Sequence, residues 1–207
     1  MCIRDSYQDF ALAFAGIGKA AAARFAGPDG PLIHLTLAGA QDDALDPSSQ
    51  LWTTLDSALR QFGEPELEIE LAARSAGLAV IEAGVAVDPD RLWSDVEPVV
   101  RASLLSTFGF SPRALGQSLY VSEVISTIQG VPGVSYVDLE LLTAVAQPAD
   151  LAQLQAAKDG GGTHDLIAHE ARVDPASRGH PRRLLPAELI YLSDLLPDLL
   201  VLNEVKT

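Results

Sequence analysis

The sequence predicts an α+β protein. It consists of two small α/β sandwich subdomains in series, strand-strand-helix-strand and then strand-helix-helix-strand, followed by an extended C-terminal arm or hairpin. Three observations predict this. The run Glu66, Leu67, Glu68, Ile69, Glu70, Leu71 alternates strictly, the period of a strand with one wet face. Leu51, Leu55 and Leu59 recur every four residues beside Trp52, which is the stripe of a half-buried helix. A strand and helix pattern then begins again after Ala76-Gly77, so one subdomain spans 7–76 and the next 77–143.

In chain order, Phe10 and Phe14 lie four apart in an Ala-rich segment and indicate a short helix over 7–15, closed by Gly16 and Gly18. Lys19 to Phe25 holds four consecutive alanines, which favour helix by propensity. The turn Gly27-Pro28-Asp29-Gly30 nevertheless sets it as the first strand of a hairpin with Leu32 to Leu37. In the second strand Ile33, Leu35 and Leu37 share the core face, leaving His34 and Thr36 on the exposed one. Ser48 or Ser49 caps the helix of Leu51, Leu55 and Leu59, and Gly63 ends it.

The second subdomain opens on the apolar, β-rich run Leu78 to Val87, broken by Asp88-Pro89-Asp90. A helix follows from about Leu92, with Val96, Val100, Leu104 and Phe108 as its buried stripe and Ser94 and Glu97 at capping-box spacing. Ser122 caps a further helix whose stripe is Val121, Val124, Ile125 and Ile128, and Gly130 with Pro132 stops it. From Val134, the residues Val137, Leu139 and Leu141 alternate with Asp138 and Glu140 as a last strand. Residues 144–186, with the tract Gly160-Gly161-Gly162, form a flexible connector. Residues 187–207 carry two apolar runs about Leu196-Pro197-Asp198, too little core to fold alone, and so form a docking segment.

The chain has 207 residues, 48% hydrophobic and 20% charged, a globular composition. Its net charge of −14 repels phosphate backbones, which argues against nucleic acid as a partner. Arg172, Arg178, Arg182 and Arg183 with His180 are a local basic exception, read as a solvated or interface patch. No apolar run reaches the ~20 residues that a membrane span needs. The opening Met-Cys-Ile-Arg-Asp-Ser is encodable by the end of a transposase adapter used in DNA library preparation. Residues 1–6 are therefore expected to be a sequencing artefact, with the protein continuing upstream of Tyr7 and Cys2 foreign to it.

Few residues invite chemistry. Gly16-Ile17-Gly18-Lys19 lacks the spacing and the hydroxyl residue of a phosphate loop. No serine sits in a nucleophile elbow, and Asp42, Asp43 and Asp46 lack the glycine and terminal glutamate of a calcium loop. His164, Asp165 and His169, with Glu170 beside them, are the best metal ligands available and support an alternative reading as a metal-dependent enzyme. The two histidines are five apart, so a helix would not align them. Trp52 and Trp93 are read as core anchors and not as a glycan platform.

The run LGQSLYVSEVISTIQGVPGVSYVDLELL over 115–142 resembles J-like baseplate assembly proteins of contractile phage tails, and more closely the large baseplate proteins of phage-tail-like contractile injection systems. YQDFALAFAGIGKAAA, IEAGVAVDPDRLWSDVEPVVRASLLSTF and LLPAELIYLSDLLPDLLVLNEV extend the resemblance. It implies a non-enzymatic wedge component without cofactor, assembled in the bacterial cytoplasm into a virion or injection particle. The implied partners are other baseplate subunits, the tail hub and spike, and sheath-proximal proteins in a hetero-oligomeric ring. Leu189, Tyr191, Leu199, Leu200 and Leu202 are the expected interface.

Overall fold

The computed structural model describes residues 3–27, 30–148, 151–177 and 183–205. In chain order its elements are α1 (Ile3–Leu12), β1 (Ile17–Ala26), β2 (Pro31–Gly39), α2 (Gln50–Phe62), β3 (Glu68–Ala73), β4 (Ser75–Val87), α3 (Trp93–Phe108), α4 (Val121–Gln129), β5 (Val134–Ala146), α5 (Leu151–Gly160), β6 (Arg172–Val173), β7 (Leu184–Leu185), β8 (Glu188–Tyr191) and β9 (Leu200–Glu204). The fold is mixed α+β. The chain divides into two units, and they interleave along the sequence. The first takes residues up to Ser75 together with 114–116 and 169–188; the second takes 76–113, 117–168 and the segment from Leu189 onward.

In the first unit the sheet order is β1-β2-β3, with β1 antiparallel to β2 and β3 parallel to it. The alanine run is strand, as the hairpin argument required. Its turn closes with a 2.7 Å bond from the Gly27 N–H to the Gly30 carbonyl, while Pro28 and Asp29 lie outside the described residues. α2 lies between two parallel strands, as a crossover must. Ser49 caps it, its hydroxyl accepting from the Trp52 N–H at 3.2 Å. Leu55 and Leu59 meet Ile33, Leu35, Leu37 and Ile69 in one core, into which α1 sends Tyr7 and Ala11.

Two expectations for this unit change. His34, placed on an exposed face, is fully buried, because β2 is the central strand and is covered on both sides. The second cover comes from residues 169–188, where the Ala187 N–H donates to the Thr36 hydroxyl at 2.9 Å. That segment was expected to be part of a flexible connector. It instead adds β6 and β7, which pair Arg172 with Leu185 and Val173 with Leu184.

In the second unit β4 is the long central strand. β5 lies antiparallel along one edge, and β8 and the parallel β9 share the other. Val96, Val100, Leu104 and Phe108 of α3 are buried as the stripe predicts, as are Val124 and Ile128 of α4; Val121 and Ile125 are only half-buried. Both proposed caps are corrected. α3 begins at Trp93 with Leu92 before it, so Glu97 is free to pair with Arg101 at 2.7 Å instead of closing a box with Ser94. α4 begins at Val121, so Ser122 falls inside its first turn and its hydroxyl cannot cap.

The C-terminal segment is neither a hairpin nor a free arm, since β8 and β9 each pair with β4. The glycine tract is also docked. The Thr163 hydroxyl donates to the Leu139 carbonyl at 3.0 Å, and a Cβ on Gly161 would stand 2.3 Å from Leu141 Cδ1 and 2.4 Å from the Ala157 oxygen. Only a residue without a side chain fits that approach.

Candidate functional site

Two of the metal candidates, Asp165 and His169, are committed to other partners. The Asp165 carboxylate accepts from the Val121 N–H at 2.9 Å, while Glu123 reaches back to the Tyr120 N–H at 3.2 Å. Two carboxylates thus satisfy the orphan amides at the start of α4, where the helix dipole favours negative charge. His169 Nδ1 lies 3.0 Å from Glu188, whose other oxygen accepts from Arg172 at 2.9 Å. Burial raises the Glu188 carboxyl, but the bonds from the His169 and Arg172 side chains and the His169 amide together hold it below the usual range. His164 is exposed. Among the described residues no group of three or more His, Cys, Asp or Glu side chains could hold a metal ion. His180, Arg178 and Arg182 of the basic patch lie outside the described residues.

The expected interface residues are largely core. Leu189 and Leu199 are fully buried, Tyr191 is 1% exposed and Leu200 4%; Leu202 is half-buried. The strand pairing explains this, because β8 and β9 complete the sheet around β4 and turn these side chains inward. Tyr191 also meets Phe110 edge-on at 5.6 Å. The exposed apolar residues of the segment lie between the two strands, with Leu195 75% and Leu196 40% exposed. Sequence reasoning missed them because both apolar runs look alike until their pairing is known.

Arg113 was also missed. It is 2% exposed, and its guanidinium donates to the carbonyls of Ile190 at 3.2 Å and of Gln117 and Ser118 at 2.6 Å each. Burial lowers its pKa, with Glu123 acting in the opposite direction. A buried cation that takes three carbonyls works as a structural clamp, since a planar fork of donors fits converging oxygens.

In the first unit, Gly16-Ile17-Gly18 leads into a strand and not a helix N-terminus, so it has no phosphate-cradling geometry. An apolar hollow of about 380 Å³ lies between α1 and the end of α2, lined by Tyr7, Phe10, Leu59, Phe62 and Pro65. The Tyr7 hydroxyl accepts from the Glu64 N–H at 2.9 Å, Phe10 stands 6.2 Å from Phe62, and Phe62 is 72% exposed. Ser6 and Glu64 also line it.

Residues 4–72, which take in the helices, sheet and hollow just described, match the family model of the Baseplate J-like central domain. The chain carries a J-like baseplate domain. The match covers a third of the chain and coincides with the main run of the first unit. No curated protein matches the chain. No helix of the described residues is long and apolar enough to cross a membrane. Over the matched residues the chain is a three-stranded sheet covered by α1 and α2, with Phe62 exposed beside the hollow.

Proposed function

We propose that this protein is a structural wedge component of the baseplate of a contractile phage tail or phage-tail-like injection particle, acting through protein–protein contacts and not as an enzyme. The match of residues 4–72 to the J-like central domain carries this reading. Its partners are other baseplate subunits, the hub and spike, and sheath-proximal proteins in a hetero-oligomeric ring, assembled in the bacterial cytoplasm before release of the particle. Leu195 and Leu196 in the second unit and Phe62 in the first support it, because apolar side chains left in water are stabilised by burial against a partner.

The test is incorporation. Particles are purified from cells that express a tagged copy, and the protein is expected in the baseplate fraction. Leu195→Asp with Leu196→Asp is expected to abolish its incorporation while the isolated protein keeps its melting temperature. Intact, functional particles from cells lacking the gene would overturn the proposal.

A further inference from the structure

Among the described residues the outer edge of β1, which lies at one side of its sheet, pairs with no strand. The direction of its backbone groups follows from the register. The Leu37 carbonyl accepts from the Arg74 N–H at 2.9 Å, so Leu37 turns its N–H and C=O towards β3. Its partner on β1, Ala20, is therefore a non-hydrogen-bonded pair, and alternation puts Ala22 and Arg24, opposite Leu35 and Ile33, in the same class. Ala20, Ala22 and Arg24 thus present N–H and C=O groups to the open side.

A groove of about 250 Å³ runs at this edge, floored by Ala20 to Ala23 and walled by Gln8, Leu115 and Glu170 among others. Edge strands are usually blunted by bulky or charged side chains or by proline. Here the four positions are alanines, whose methyl groups leave room for a second backbone. The wall is built: Gly116 at φ 77° lies so close to Glu170 that a Cβ there would stand 2.9 Å from Glu170 Cγ. Among the described residues no lysine or arginine lines the groove, and Glu170 has no ion pair. Asp5 also lines it, a second carboxylate beside Glu170 in the lining.

We propose that the outer edge of β1 accepts an extended strand from a second, non-identical protein, with lysine or arginine of that strand beside Glu170. Main-chain bonds to Ala20 and Ala22 supply the affinity, and the carboxylate selects the partner. A second copy of this chain fits worse, since two-fold pairing of β1 edges would oppose like carboxylates on molecules of net charge −14. The proposal stands on the geometry of the first unit, whatever particle the protein joins.

The test uses the full chain and two probe peptides, Lys-Thr-Val-Thr-Val-Thr-Lys and the same strand with glutamate at both ends. The lysine peptide is expected to bind and to slow amide exchange at Ala20 and Ala22, and the glutamate peptide to bind at least about tenfold more weakly. Ala22→Pro removes an outward donor and is tolerated in an edge strand; it is expected to abolish binding with the far-ultraviolet circular dichroism unchanged. Glu170→Lys, at an exposed site, is expected to invert the preference. Unprotected Ala20 and Ala22 amides at millimolar peptide, equal affinity for both peptides, or self-association through β1 in sedimentation would each overturn the proposal.

Discussion

Asp165 and Val121 lie 44 residues apart in sequence, yet the Asp165 carboxylate accepts the first amide of α4 at 2.9 Å. An aspartate that looked like a metal ligand is a helix cap supplied from a distant segment. Asp165→Ala is expected to lower the stability of the second unit by about 1 kcal/mol, and Asp165→Asn by less, because the amide oxygen still accepts. Urea denaturation checks this. Equal stability of Asp165→Ala and the parent would show that the amide finds water as readily.

Arg113 is expected to be the most costly single polar residue to remove from the second unit. Arg113→Leu leaves carbonyls of Ile190, Gln117 and Ser118 without their donor and should cost ~3 kcal/mol. Arg113→Lys keeps the charge but cannot present the fork, so only part of that is expected to be recovered. Thermal unfolding of the two variants ranks them, and a fully stable lysine variant would count against the clamp.

Leu199 and Leu200 separate from Leu195 and Leu196 by what aspartate does to them. Aspartate at 199 or 200 would place an unpaired charge in the core and is expected to unfold the second unit, at a cost above ~4 kcal/mol. At 195 and 196 the same substitution should change stability by less than ~0.5 kcal/mol. Circular dichroism and melting curves of the two double variants test this contrast directly.

His34 makes the first unit sensitive to acid. Among the described residues its ring nitrogens have no hydrogen-bond partner, and burial holds its pKa below the ordinary 6.5. The Glu70 oxygen 4.0 Å away leaves the ring neutral, since burial is the cause that sets its titration. As pH falls the unfolded chain binds the proton first, so stability drops through 6.5 and levels off below the folded-state value. Burial and then Glu68 raise the Glu70 carboxyl above 4.5, so its protonation favours the fold and offsets part of the loss at lower pH. His34→Leu is expected to flatten the stability profile between about pH 7.5 and 5. An unchanged slope would mean that another group carries the acid sensitivity.

Much of this architecture is legible in the chain. Strict alternation at Glu66 to Leu71 and at Val137 to Leu141, the four-residue repeat of Leu51, Leu55 and Leu59, and the Ser49 cap are local patterns, and local patterns decide whether a segment is strand or helix. The strand assignment of Ala20 to Ala23 came from the neighbouring turn and not from alanine itself, and the pairing with β2 overrides the helical propensity.

What the sequence determined alone is thus the type and order of the elements and the apolar face of each, because these depend on residues within a few positions of one another. Which face is then covered, and by what, was decided only in the tertiary structure. His34 is buried because residues 169–188 return to β2, Leu199 and Leu200 are core because β9 pairs with β4, and Asp165 is a cap because its loop reaches α4. Each depends on contacts between segments far apart in the chain, and spacing along a sequence does not record which distant backbone will arrive to complete a sheet or cap a helix.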